Sequence, residues 1–105
     1  MKWESDPIGK DCINLNTTLA RWLALRLQFL GDNASGWPLV TDKEETQEEY
    51  DRQYRNWRIE LWDTAKALKD YADADGNFDT EYEIRTERVQ KAMEWVAKNF
   101  VNLWD

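Results

Sequence analysis

The sequence predicts an all-α protein. The expected architecture is a three-helix bundle: a long antiparallel hairpin over residues 41–72 and 80–104, plus a shorter N-terminal helix over residues 15–30. Three observations lead there. Apolar residues recur at alternating steps of three and four in three separate stretches, the spacing that lines one face of a helix. Two of the stretches open on a Thr-x-x-Glu capping box, Thr41 to Glu44 and Thr80 to Glu83. No segment shows the clean in-out alternation of a half-buried strand.

In the first helix, Leu15, Leu19, Trp22, Phe29 and Leu30 fall on one face, which makes that face the expected core contact. Asn14, Asn16 or Thr17 can cap its start and Gly31 suits its end. Residues 31–38, GDNASGWP, carry loop chemistry: two glycines, and a proline that disfavours helix at Trp37. The second helix gathers Glu44, Glu45, Glu48 and Glu49 near its start, where the helix dipole favours negative charge. Its seam follows as Tyr50, Tyr54, Trp57, Leu61, Ala65, Leu68 and Ala72, until DADGNFD at 73–79 breaks it. The third helix carries Tyr82, Val89, Met93, Val96, Phe100 and Leu103 at the same spacing. Two long helices joined by a short turn lie antiparallel, and the first helix is expected to cover their shared groove.

A chain of 105 residues is read as one domain. Seven tryptophans supply large apolar surfaces for a short chain, while histidine is absent. The missing histidine removes the commonest general base and neutral metal ligand, and the lone Cys12 can form no internal disulfide. The net charge of -7 lies wholly in residues 42–81, with thirteen acids against six bases; the flanking segments balance at four of each. No basic stripe is available for phosphates, so neither nucleic acid nor an anionic membrane is an expected partner. The opening MKWESDPIG lacks an apolar core, and no apolar run is long enough to span a bilayer. The expectation is a soluble cytoplasmic protein, without a cofactor or a metal.

Four constellations are candidates for chemistry. Residues 73–79 have the look of a calcium loop. Setting Gly76 at the loop's turn position, however, places Tyr71 and Tyr82 where the two end carboxylates belong. Glu45-x-x-Glu48 with Glu60-x-x-Asp63 resembles the carboxylate pairs of all-α, Mg²⁺-dependent nucleotide hydrolases. Glu48 and Glu60 nevertheless sit on one continuous helix, about 18 Å apart at about 1.5 Å per residue. Arg26 falls in the middle of the Leu15/Leu19/Trp22/Leu30 stripe, where a guanidinium needs a partner such as Asp11, a route to water, or an anion. A small anionic ligand there would meet Arg26, Asp11, Asn14, Trp22 and Trp37. Finally, Ile59 and Trp62, with Ile84 and Trp95, point away from the filled seams. They form a candidate interface for a second copy or a host protein.

Asp11, Asn14, Leu15, Asn16, Ala20, Arg26 and Leu27 form an Asp-x-x-Asn-Leu opening pattern that ends in Arg-Leu. Residues 88–105 close on Phe100-x-x-Leu103-Trp104-Asp105, and Gly36-Trp37-Pro38 precedes an acidic, Trp-containing helix. These segments resemble a family of small helical bacteriophage and prophage proteins with no established activity. The resemblance implies phage origin and a helical fold. The expected function is that of a non-enzymatic accessory protein, binding a host or defence component by protein contact or by sequestering a small ligand. The alternatives are a structural or assembly accessory protein and the carboxylate-dependent hydrolase.

Overall fold

Proline and aspartate set the first structural feature that the periodicity did not reveal. In the computed structural model, which describes residues 5–38, 46–75 and 77–104, a short helix α1 spans Pro7–Cys12. Asp6 Oδ1 accepts hydrogen bonds from the backbone N–H of Ile8 at 2.8 Å and of Gly9 at 3.1 Å. Pro7 stands at the first helical position, where no N–H is needed.

Three longer helices follow: α2 over Leu15–Asn33, α3 over Gln47–Ala74 and α4 over Tyr82–Asn99, the last running into a 3-10 turn, Phe100–Asn102. The described residues are 80% helical and contain no strand. Asn14 does stand at the cap of α2, but through its backbone: it adopts a left-handed conformation (φ 55°), which asparagine tolerates, and makes no side-chain cap. Gly31 does not stop the helix, which continues to Asn33. The Thr41–Glu44 capping box lies outside the described residues, and α3 is capped by Thr46, whose Oγ1 accepts from the Glu49 N–H at 3.2 Å. Asp75, left-handed at φ 48°, ends α3 where the sequence places the break. The Thr80 box does not form. Glu81 holds the cap position of α4 without a side-chain bond, and Asp79 Oδ1 accepts from the Glu81 N–H at 3.0 Å.

α3 is the central element, with α2 antiparallel on one side and α4 antiparallel on another. Among the described residues, the backbones of α2 and α4 make no close approach, so α2 lies on α3 rather than deep in the α3–α4 groove as expected. The physical reason lies in α3, which carries two packing stripes. Leu61, Trp62 and Ala72 meet α2, whereas Trp57, Glu60 and Asp70 meet α4. The molecule extends over 57 × 34 × 20 Å. The radius of gyration is 16.7 Å, against about 13 Å for a compact domain of this length.

The core centres on the fully buried Leu61 and Leu68, with Trp57, Ala65 and Ala72 beside them. All five belong to the predicted α3 seam. The predicted face of α2 is reversed. Thr17, Ala20, Ala24, Leu27 and Gly31 are buried against α3, while Leu15, Leu19, Trp22 and Phe29 look outward and Leu30 lies at the flank. The buried stripe has the same three-four spacing, and its small side chains let two helix backbones approach closely. On α4, Ala92 and Val96 are buried and Trp95 is half-buried, whereas Met93 and Phe100 of the expected seam are exposed.

Candidate functional site

The outward face of α2 is the most prominent surface feature. Leu15 and Leu19 are nearly half exposed, Trp22 is 51% exposed, Leu25 64% and Phe29 69%. Their positions are 15, 19, 22, 25 and 29, one continuous line along the helix, opposite the stripe that packs on α3. Arg26 lies within it. Its guanidinium carbon sits 3.9 Å from the centre of the Trp22 ring, and its Nη1 donates to the Trp22 carbonyl at 3.1 Å. The charge needs no internal ion pair, because Arg26 is solvent-exposed and stacked on an indole face.

The five residues expected to surround an anion do not come together. Asn14 is at the start of α2, near the end of α3, where its neighbour Asn16 donates to the Tyr71 hydroxyl at 2.7 Å. Trp37 lies beyond the opposite end of α2. Its Nε1 donates to Gln53 Oε1 at 3.2 Å, and its ring packs on Tyr54 at 5.4 Å and Tyr50 at 6.3 Å. The side chain of Asp11 lies outside the described residues.

The four interface candidates are likewise separated. Trp62 turns toward α2, where Nε1 donates to Asp32 Oδ1 at 2.9 Å. Trp95 turns toward α3, with Nε1 donating to Glu60 Oε1 at 3.1 Å and its ring 5.3 Å from that of Trp57. Both indoles are half-buried by internal contacts, on different faces of α3, while Ile59 and Ile84 remain exposed.

Several of the carboxylates on α3, α4 and the turn between them are engaged in ion pairs. Lys69 donates to Asp73 at 2.6 Å, Arg85 reaches Asp79 at 3.0 Å, and Asp70 accepts from Lys66 at 3.0 Å and Arg88 at 3.2 Å. The hydrogen bond to Asp73 raises the pKa of Lys69, and that of Arg85 lowers the pKa of Asp79. Burial alone pushes the Asp70 carboxyl up, but the hydrogen bonds and charges of Lys66 and Arg88 outweigh it and hold the group below its ordinary value. Each shift favours the charged form, the signature of structural ion pairing rather than of a group poised for proton transfer. Among the described residues, no three acidic or cysteine side chains converge as a metal site. Glu45 is outside them, and Glu48 and Glu60 share α3.

A cleft of about 720 Å³ runs between α2 and α3, lined in part by Arg21, Leu25, Gln28, Trp62, Lys66 and Lys69. Its cations are already occupied: Arg21 donates to the Ala72 carbonyl at 3.2 Å, and the two lysines hold Asp70 and Asp73. Arg26 does not line it. The outward face of α2 carries the larger apolar side chains, which in the sequence are the mark of a core face. The signal that could have exposed it was the second stripe, Thr17-Ala20-Ala24-Leu27-Gly31, at identical spacing. No protein-family model, curated protein or solved structure matches the chain, and no helix among the described residues is long and apolar enough to cross a membrane.

Proposed function

We propose that this is a non-enzymatic accessory protein of a phage or prophage, working in the host cytoplasm by protein contact on a host or defence component or on another copy of itself. One observation carries the contact reading: the unbroken apolar line Leu15–Leu19–Trp22–Leu25–Phe29 faces solvent along α2. Contiguous exposed apolar surface of this kind marks an interaction site, and Trp and Arg together are typical of its energetic centre. Contact is favoured over sequestration of a small anion because Arg26 lies on this open face and away from the cleft. The phage assignment rests on the resemblance of residues 11–30 and 88–105 to that family.

Immobilised protein and its Leu25→Glu/Phe29→Glu variant, exposed in parallel to bacterial lysate, test the reading. The expected result is a set of bound polypeptides, added copies of the chain included, that the variant loses while its circular dichroism is unchanged. Identical sets on both overturn it.

A further inference from the structure

We infer that the outward face of α2 pairs with the same face of a second copy, antiparallel, across a two-fold axis at Trp22. This rests on the contact reading and names the partner. The positions 15, 19, 22, 25 and 29 lie at offsets of minus seven, minus three, zero, plus three and plus seven from Trp22. The pattern is its own mirror along the helix. A two-fold pairing sets Phe29 level with Leu15 of the second copy, Leu25 level with Leu19, and Trp22 against Trp22. Self-complementarity of this kind is what an isologous interface requires.

Area and charge point the same way. The five residues present on the order of 600 Å² of surface, at the upper end of what a typical monomer leaves open. Flanking Arg26, Thr18 and Asn33 bring the patch toward the roughly 800 Å² that each partner contributes to a standard interface. Arg26 is the one charge within the line. A parallel pairing in register would set the two guanidinium groups side by side. The antiparallel pairing separates them by eight residues, about 12 Å along the helix, and each keeps its own Trp22 ring. Pairing through this face leaves the α2–α3 contact untouched, because the two stripes lie on opposite sides of α2.

Light scattering at tens of micromolar, with the register read by cysteine cross-linking, is the test. The wild type is expected at twice its 12.6 kDa, and Leu25→Glu/Phe29→Glu at the single mass with helicity retained. In a Cys12→Ser background, Trp22→Cys and the double variant Leu19→Cys/Leu25→Cys should each cross-link between copies under mild oxidation, with Ile59→Cys as the control that does not. A monomeric wild type overturns the inference. So does a dimer indifferent to the glutamates, or a dimer cross-linked only through Ile59. A monomeric wild type that holds a different polypeptide and loses it with the glutamates overturns self-pairing while the contact reading stands.

Discussion

The indole of Trp62 lies against the bare backbone of Gly31: a Cβ at that glycine would sit 2.6 Å from Trp62 Nε1 and 2.7 Å from Cδ1. The same indole is held by Asp32, and Arg58 stacks 4.8 Å from its centre while donating to the Gly31 carbonyl at 2.8 Å. A glycine inside a helix is here the condition for a tryptophan to close the α2–α3 contact.

Gly31→Ala is therefore expected to destabilise. Alanine is favoured over glycine in a helix by about 1 kcal/mol, but forcing the indole out of place costs about 1–3 kcal/mol. The overpacking term prevails, for a net loss of about 1 kcal/mol, read as a lower urea midpoint at constant m-value.

The exposed Phe29 of α2 and the buried Leu61 of α3 should respond to truncation in the opposite order to their side-chain sizes. Phe29→Ala is expected to change unfolding stability by no more than about 0.5 kcal/mol, measured on monomer. Leu61→Ala, at the fully buried centre of α3, should cost about 2–5 kcal/mol. A large loss for Phe29→Ala in denaturant titrations would place that face in the core instead.

The Asp70 carboxyl gives stability a dependence on acid. Its folded pKa is held below the ordinary value of 3.8, so its contribution is present above that pH and lost as pH falls through the folded value. The pairs are partly exposed, so the effect is small, about 0.2–1 kcal/mol. Arg88→Met, which removes one of the two partners, should flatten stability measured from pH 5 to pH 2, values chosen about the carboxylate range.

Calcium or magnesium at millimolar concentration should leave the thermal midpoint unchanged, with or without EDTA. Asp73 is taken by Lys69 and Asp79 by Arg85. A divalent ion must displace Lys69 to gain Asp73 and Arg85 to gain Asp79, and a ligand that does not bind the folded state cannot stabilise it.

The legible parts of this fold are those where large apolar residues alone define a face. The α3 seam from Trp57 to Ala72 was of that kind, as was the Asp75 break, where a turn-forming sequence interrupts the pattern. In α2 side-chain size and burial do not coincide. Its Ala20, Ala24 and Gly31 carry little hydrophobic weight, yet they form the closer-packing surface. Trp62 and Trp95 looked off-seam for a related reason. The seam was drawn for one partner per helix, whereas α3 has two, and each indole fills a contact the single seam omitted. α1 had a readable signal, Asp6 before Pro7, too short to register as periodicity. In the candidate site Arg26 stacks on Trp22, on the side of α2 that faces away from the core rather than into it.

The separation of the α2 and α4 backbones has an energetic corollary. Residues that share no partners and lie far apart contribute independently. Destabilising substitutions at Ala24 and at Ala92 should therefore sum without a coupling term, whereas a change at Ala24 combined with one at Leu61, which meets α2, or at Ala92 combined with one at Trp57, which meets α4, should not.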